Sequence, residues 1–293
     1  MNISELSHLD EDVHPLFDQN DEQRIAACFG YWIGYVEAER CIGILERLYH
    51  MKRRSRMPNF LVTALTHNGK TSVIERFCEL HPGSENVEGD RSFVPVLNIE
   101  IPPRCDGREL CRMIATQLGS PYKSSWHIGD FLEPLMVQCA GVGTRLIGLD
   151  EIHNILGANR DVQRATLATI RTLGNKLKVP IAAFGTDASA NAIRLDPQLE
   201  NRFRVVNLPP WKLDNRFASL VNSIERRVPL RLPSLLSSDE LIVFIHQNAH
   251  GAIGEVTRLI GDAAGAAITS GEERITLINL KEATTVLGDR LDI

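Results

Sequence analysis

The stretch Phe60-Leu61-Val62-Thr63-Ala64-Leu65-Thr66-His67-Asn68-Gly69-Lys70-Thr71 decides the fold. Phe60 to Ala64 reads as a buried strand and Lys70 to Leu80 as a helix, so the loop between them joins strand to helix. Such a junction can cradle phosphate, because backbone N–H groups converge at a helix N-terminus where the helix dipole favours negative charge. Gly69 lets the chain approach a phosphate without a Cβ clash. Lys70 then reaches the β- and γ-phosphates, Thr71 binds Mg²⁺, and Thr66, His67, Asn68 and Ser72 complete the candidate cradle. Gly-Lys-Thr alone is a weak signal that any surface helix start can share; the strand before it and the helix after it give it weight.

Alternating strand and helix signals continue from there. Phe93 to Ile99 reads as a second strand, followed by helices near Gly107–Leu118 and Ile128–Cys139. Arg145 to Leu149 is a third strand, Val162 to Leu177 a helix, Pro180 to Gly185 a fourth strand and Arg204 to Leu208 a fifth. Short apolar strands separated by helices of about a dozen residues indicate a parallel sheet covered on both faces. Pro209-Pro210 ends the rhythm, and the remainder reads as helices with a short strand at Arg274–Ile278. Upstream, residues 1–20 read as an extended acidic arm and Asp21 to Arg54 as helical. The expected division is 1–57 (arm and helical extension), 58–208 (α/β core) and 209–293 (helical lid and tail).

Three further stretches carry chemistry. Leu146-Ile147-Gly148-Leu149-Asp150-Glu151 is an apolar strand ending in two carboxylates, which at the carboxyl edge of a parallel sheet face the ligand crevice. Asp150 is placed to hold the Mg²⁺ water shell and Glu151 to polarise the attacking water. Thr186, at the end of Ile181-Ala182-Ala183-Phe184-Gly185, is placed to sense a γ-phosphate; an N-cap for the next helix by Thr186 or Asp187 is an equal and compatible reading. In Glu200-Asn201-Arg202-Phe203-Arg204, Arg202 is the better candidate for a finger offered to a neighbouring subunit's phosphate, with Arg204 second. Two solvated arginines on a strand edge are the alternative.

Bulk properties narrow the class. A net charge of −5 excludes a generally nucleic-acid-binding polycation, so DNA contact requires local basic patches. Met1-Asn2-Ile3-Ser4-Glu5, running into Asp10-Glu11-Asp12, lacks the basic and apolar regions of a secretory signal, and no apolar run reaches the ~18 residues of a membrane span. The six cysteines form no CxxC pair and no zinc spacing, which fits reduced buried thiols in the cytoplasm.

The order of phosphate loop, Asp-Glu strand, sensor, arginine finger and helical lid resembles the AAA+ superfamily of P-loop NTPases. More narrowly, Trp32-Ile33-Gly34-Tyr35, Arg56-Met57-Pro58-Asn59 and Asn68-Gly69-Lys70-Thr71 resemble, in that order and spacing, the TniB/TnsC-type regulators of transposition. The resemblance covers about residues 25–260 and is specific in its first third. It implies an α/β fold with a central parallel five-stranded sheet, an N-terminal helical extension and a small C-terminal helical lid. It also implies an ATPase that binds Mg²⁺ and ATP at subunit interfaces and assembles as a ring or filament on double-stranded DNA. The protein would link a TniQ-like target-selection protein to a DDE transposase, with hydrolysis driving disassembly. Ala64, Leu65 and Thr66 depart from the Gly-Asp-Ser-like opening of the family loop, and the Ala64 Cβ is expected to weaken nucleotide affinity. His67 stands where Asn is common. Gly251-Ala252-Ile253-Gly254 holds no arginine where many AAA+ proteins place a sensor, leaving Arg258, one helical turn on, as a substitute.

Tyr35 and Trp32 are placed either to wall the adenine or to staple the N-terminal helix. His153 reads as structural. Sequence-neutral DNA contact is assigned to Arg104, Arg108, Arg112 and Lys123 around the helix after the second strand, in preference to Lys52, Arg53, Arg54 and Arg56, which read as a helix terminus. Two other functions fit the same motifs: a helicase-loader or DNA-repair ATPase, and a nucleotide-gated scaffold that does not hydrolyse.

Overall fold

The computed structural model describes residues 6–84 and 92–288. Met1 to Glu5, read above for a signal sequence, lie outside the described residues. In chain order the helices and strands are α1 (Asp21–Ala26), α2 (Val36–Tyr49), β1 (Asn59–Ala64), α3 (Lys70–Leu80), β2 (Val96–Glu100), α4 (Gly107–Gln117), α5 (Ile128–Gly141) and β3 (Leu146–Asp150). They continue with α6 (Arg160–Leu177), β4 (Ile181–Gly185), α7 (Ala188–Arg194), α8 (Pro197–Glu200), β5 (Phe203–Leu208), α9 (Asn215–Glu225), α10 (Asp239–Ala249), α11 (Ile253–Ser270) and α12 (Leu277–Gly288). The five strands form one parallel sheet in the order β2-β3-β4-β1-β5.

Burial follows that order. Every residue of β1, β3 and β4 is buried, as continuous apolar strands covered on both faces must be; at the two edges β2 alternates, and β5 buries only its end residues Phe203 and Leu208. Gly148 in β3 lacks a side chain where Ile74 and Asn98 close in, so a Cβ there would sit 2.9 Å from the Asn98 Oδ1. Because all strands run the same way, Ala64, Glu100, Asp150, Gly185 and Leu208 end at one edge of the sheet.

The chain divides into two compact units. One comprises Val36–Leu65 and Lys70–Leu208; the other comprises Met1–Tyr35, Thr66–Gly69 and Pro209–Ile293. Residues 6–35 thus group with the C-terminal helices, and α2 groups with the sheet. The core of the sheet unit runs through Leu61, Leu97, Ile114, Phe131, Ile147, Leu173 and Ala183. That of the helical unit runs through Cys28, Phe217, Ile224, Ile245, Val256, Ala263 and Leu280.

Three expectations are corrected. The helical reading of Asp21 to Arg54 is two helices, separated by a turn in which Gly30 takes φ 73°. Residues 6–20 are not an extended arm: Glu11–Asp18 form a 3-10 helix, and Leu6, Leu9 and Val13 are buried. Arg274–Ile278 is not a strand; Thr276 and Asn279 hydrogen-bond one another to start α12. Five of the six cysteines are buried and all are free.

Candidate nucleotide-binding site

The sheet unit brings together Lys70, Thr71, Asp150 and Glu151. Lys70 is the first residue of α3, and its buried ammonium donates to the carbonyls of Leu65 (2.8 Å) and Ala64 (3.4 Å). Burial pushes its pKa below the ordinary lysine value, against the opposing pull of Glu151, Asp150 and Asp187. At the next residue the Thr71 hydroxyl donates to Asp150 Oδ2 at 2.7 Å. Asp150 is itself buried at the end of β3, and its other oxygen accepts the Glu151 N–H at 2.8 Å. A hydroxyl and a buried carboxylate in contact at a strand end are the hard oxygen donors that Mg²⁺ takes. These residues therefore fit the ion, and the lysine beside them fits an anionic phosphate.

Glu151 sits in the left-handed region (φ 53°), and its carboxylate lies 3.1 Å from the His153 Nδ1. His153, read as structural, is thus the immediate neighbour of the candidate water-activating group. Thr186 follows β4 directly, and its carbonyl accepts the Ser189 N–H as α7 begins. Asp187, not singled out from sequence beyond its capping role, accepts from Asn207 Nδ2 at 3.0 Å, and Asn207 also donates to Thr63 at 3.1 Å. Asn207 lay in an edge strand with no motif around it, so no sequence signal pointed to it. Arg202 donates to Asn175 Oδ1 at 2.6 Å, and Arg204 is exposed on β5.

The helical unit contains the loop segment Thr66–Gly69. His67 takes φ 57° and Gly69 φ 81°, while Asn68 between them keeps a negative φ, and such alternation turns successive N–H groups toward one concave side. The Asn68 side chain is not free to meet a ligand: it accepts from the Ile253 N–H and donates to the Pro209 carbonyl, each at 3.2 Å. Tyr35 stacks edge-on to Trp211, and its hydroxyl would lie 3.5 Å from a Cβ added at Gly69. Arg258 pairs with Glu255 and Asp262 on its own helix.

Ala64 is the last residue of β1, buried and paired with Leu208. Among the candidate DNA contacts, Arg104 and Lys123 are exposed. Arg112 pairs with Glu109 at 3.1 Å, and Arg108 donates to the Ser124 carbonyl. No group of acidic, cysteine or histidine side chains among the described residues is arranged to hold a metal by itself. No helix among them is long and apolar enough to cross a membrane.

With this geometry in place, a family model described as "Bacterial TniB protein" matches residues 27–213. The chain belongs to the TniB family. Comparison with curated proteins finds no match. Among solved structures, this TniB-family chain is similar to ORC2 of Aeropyrum pernix in its ADPNP–ADP complexes (TM-score 0.63, 16% identity, covering 88% of this chain and 70% of that one). It is similar also to ORC1 of the same organism in complex with DNA (0.61, 18%, 90% and 69%) and to Cdc6p of Pyrobaculum aerophilum (0.59, 15%, 89% and 70%). The TniB chain therefore has the P-loop AAA+ ATPase fold, with its five-stranded parallel sheet and helical extensions. Family and fold together support a nucleotide-binding regulator associated with transposition.

Proposed function

We propose that this TniB-family protein is a Mg²⁺- and ATP-dependent regulator of DNA transposition that assembles on double-stranded DNA and links a target-selection protein to a DDE transposase. The observation that carries the nucleotide part is the Thr71–Asp150 contact beside the buried Lys70, all at one edge of one sheet. Lys70 neutralises the β- and γ-phosphates, and the backbone of residues 66–69, which leads directly into it, supplies N–H donors. Thr71 and Asp150 hold the ion, which when bound offsets phosphate charge. Glu151 accepts the proton of the attacking water. Arg202 serves a neighbouring copy's phosphate, Thr186 reads the γ-phosphate, and Arg104 with Lys123 tracks the DNA backbone. ORC1 of Aeropyrum pernix, solved in complex with DNA, shares the fold and supports the DNA reading.

Electron microscopy of the protein with duplex DNA, with and without a slowly hydrolysed ATP analogue, tests the proposal. Rings or filaments on the duplex that require nucleotide and vanish in Lys70→Ala are expected. Protein that stays monomeric and off DNA in every condition would overturn it.

A further inference from the structure

The start of α11 is capped by the phosphate loop rather than by its own sequence. Ala252 occupies the N-cap and offers no side-chain acceptor. In its place Asn68 Oδ1 accepts the Ile253 N–H (3.2 Å) and the His67 carbonyl accepts the Gly254 N–H (2.8 Å). The approach is close enough that a Cβ on Gly254 would sit 2.6 Å from the His67 oxygen. One residue further along α11, Glu255 Oε1 lies 2.5 Å from the His67 Nδ1, while Arg258 holds the other carboxylate oxygen. Burial raises the pKa of Glu255, but the His67 and Arg258 contacts outweigh it and hold it below the ordinary carboxylate value. His67 meanwhile carries a left-handed backbone that a side chain with a Cβ disfavours.

We propose that Glu255 is a positioning residue for the phosphate loop: acting through His67, it holds the left-handed turn that orients the loop N–H groups toward nucleotide. The strain at His67 persists because two contacts to His67 and one to its neighbour Asn68, all from one helix turn, over-determine it, as strained functional backbone requires. Gly254 is the steric condition for that contact, since any larger residue would drive the helix start off the loop. Asn adopts the left-handed region more readily and would not need the carboxylate. The loop and α11 therefore move as one piece, and α11 tunes nucleotide affinity without touching nucleotide. This inference rests on the ATP-binding reading above, and its test separates the two.

Full-length wild type, Glu255→Gln, Gly254→Ala, His67→Asn and the His67→Asn/Glu255→Gln double variant are titrated with a fluorescent ATP analogue and Mg²⁺, and amide exchange is followed at residues 66–70. Glu255→Gln is expected to weaken binding roughly three- to tenfold, since the pair is partly exposed, and to speed loop exchange. Gly254→Ala acts in the same direction. In the His67→Asn background, Glu255→Gln is expected to change neither readout. Unchanged loop exchange in Glu255→Gln, or an equal effect of that substitution with and without His67, overturns the inference. A wild type that binds no nucleotide overturns the ATP reading alone, because loop exchange still decides whether Glu255 holds His67.

Discussion

In the proposed mechanism Glu151 polarises the attacking water, and it carries a backbone that non-glycine residues avoid. Its φ of 53° turns the chain out of β3 into the 3-10 helix Ile152–Gly157, and that turn brings His153 within 3.1 Å of its carboxylate. A base that must polarise water loses rate when its orientation is lost. His153→Ala is therefore expected to lower kcat for ATP hydrolysis by about tenfold with KM little changed, as for a group acting only in the chemical step. Steady-state kinetics check it, and a rise in KM at unchanged kcat would remove His153 from this role. The place of Asp150 and Glu151 at the end of β3 was legible because an apolar run that stops at two carboxylates marks where a buried strand ends. The His153 contact was not, because it depends on a left-handed turn that Asp-Glu-Ile-His does not encode.

The core elements were legible because buried parallel strands write themselves as short apolar runs, and α3 opens at Lys70 and closes at Leu80 as read. Misreadings fell where local pattern competes with tertiary contact. Apolar spacing runs on past Gly30 from α1 toward α2, and Ile275 is buried without belonging to a strand. Gly251 was noticed only as part of a stretch lacking an arginine, yet the turn between α10 and α11 requires it. It has φ 70°, its carbonyl accepts the Trp211 N–H at 2.8 Å, and an added Cβ would sit 2.3 Å from the Trp211 oxygen. That oxygen also accepts from His246 at 2.9 Å, so it cannot simply move away. Gly251→Ala is expected to cost about 1–3 kcal/mol of stability in denaturant melts. Gly265→Ala, inside α11 with only ordinary contact to Ile25, should instead be neutral or gain up to ~1 kcal/mol. Equal melts for the two variants would show that the Trp211 contact does not set the turn.

Over the whole chain, the feature least visible in sequence is the tie between segments nearly 250 positions apart, since no periodicity links them. Arg24 of α1 is buried, and its guanidinium grips both oxygens of Glu273 at 2.9 and 2.6 Å while also donating to the Pro229 carbonyl. Asp21 adds a second, exposed carboxylate to Arg24, and Arg231 lies 3.4 Å from Glu273. Burial acts to raise the Glu273 pKa, but the arginine contacts prevail and hold it below its ordinary value of 4.5. A carboxylate with a depressed folded pKa contributes stability that is fully present above its unfolded pKa and fades as pH falls through the folded one. Glu273→Gln removes that contribution and leaves a buried guanidinium short of its partner, so it should cost roughly 2–4 kcal/mol at neutral pH. Urea melts from pH 7 down to about pH 3 should show the wild-type advantage constant above the ordinary carboxylate range and shrinking below it. An advantage that holds unchanged to the lowest pH would mean that Glu273 stabilises the fold through packing rather than charge.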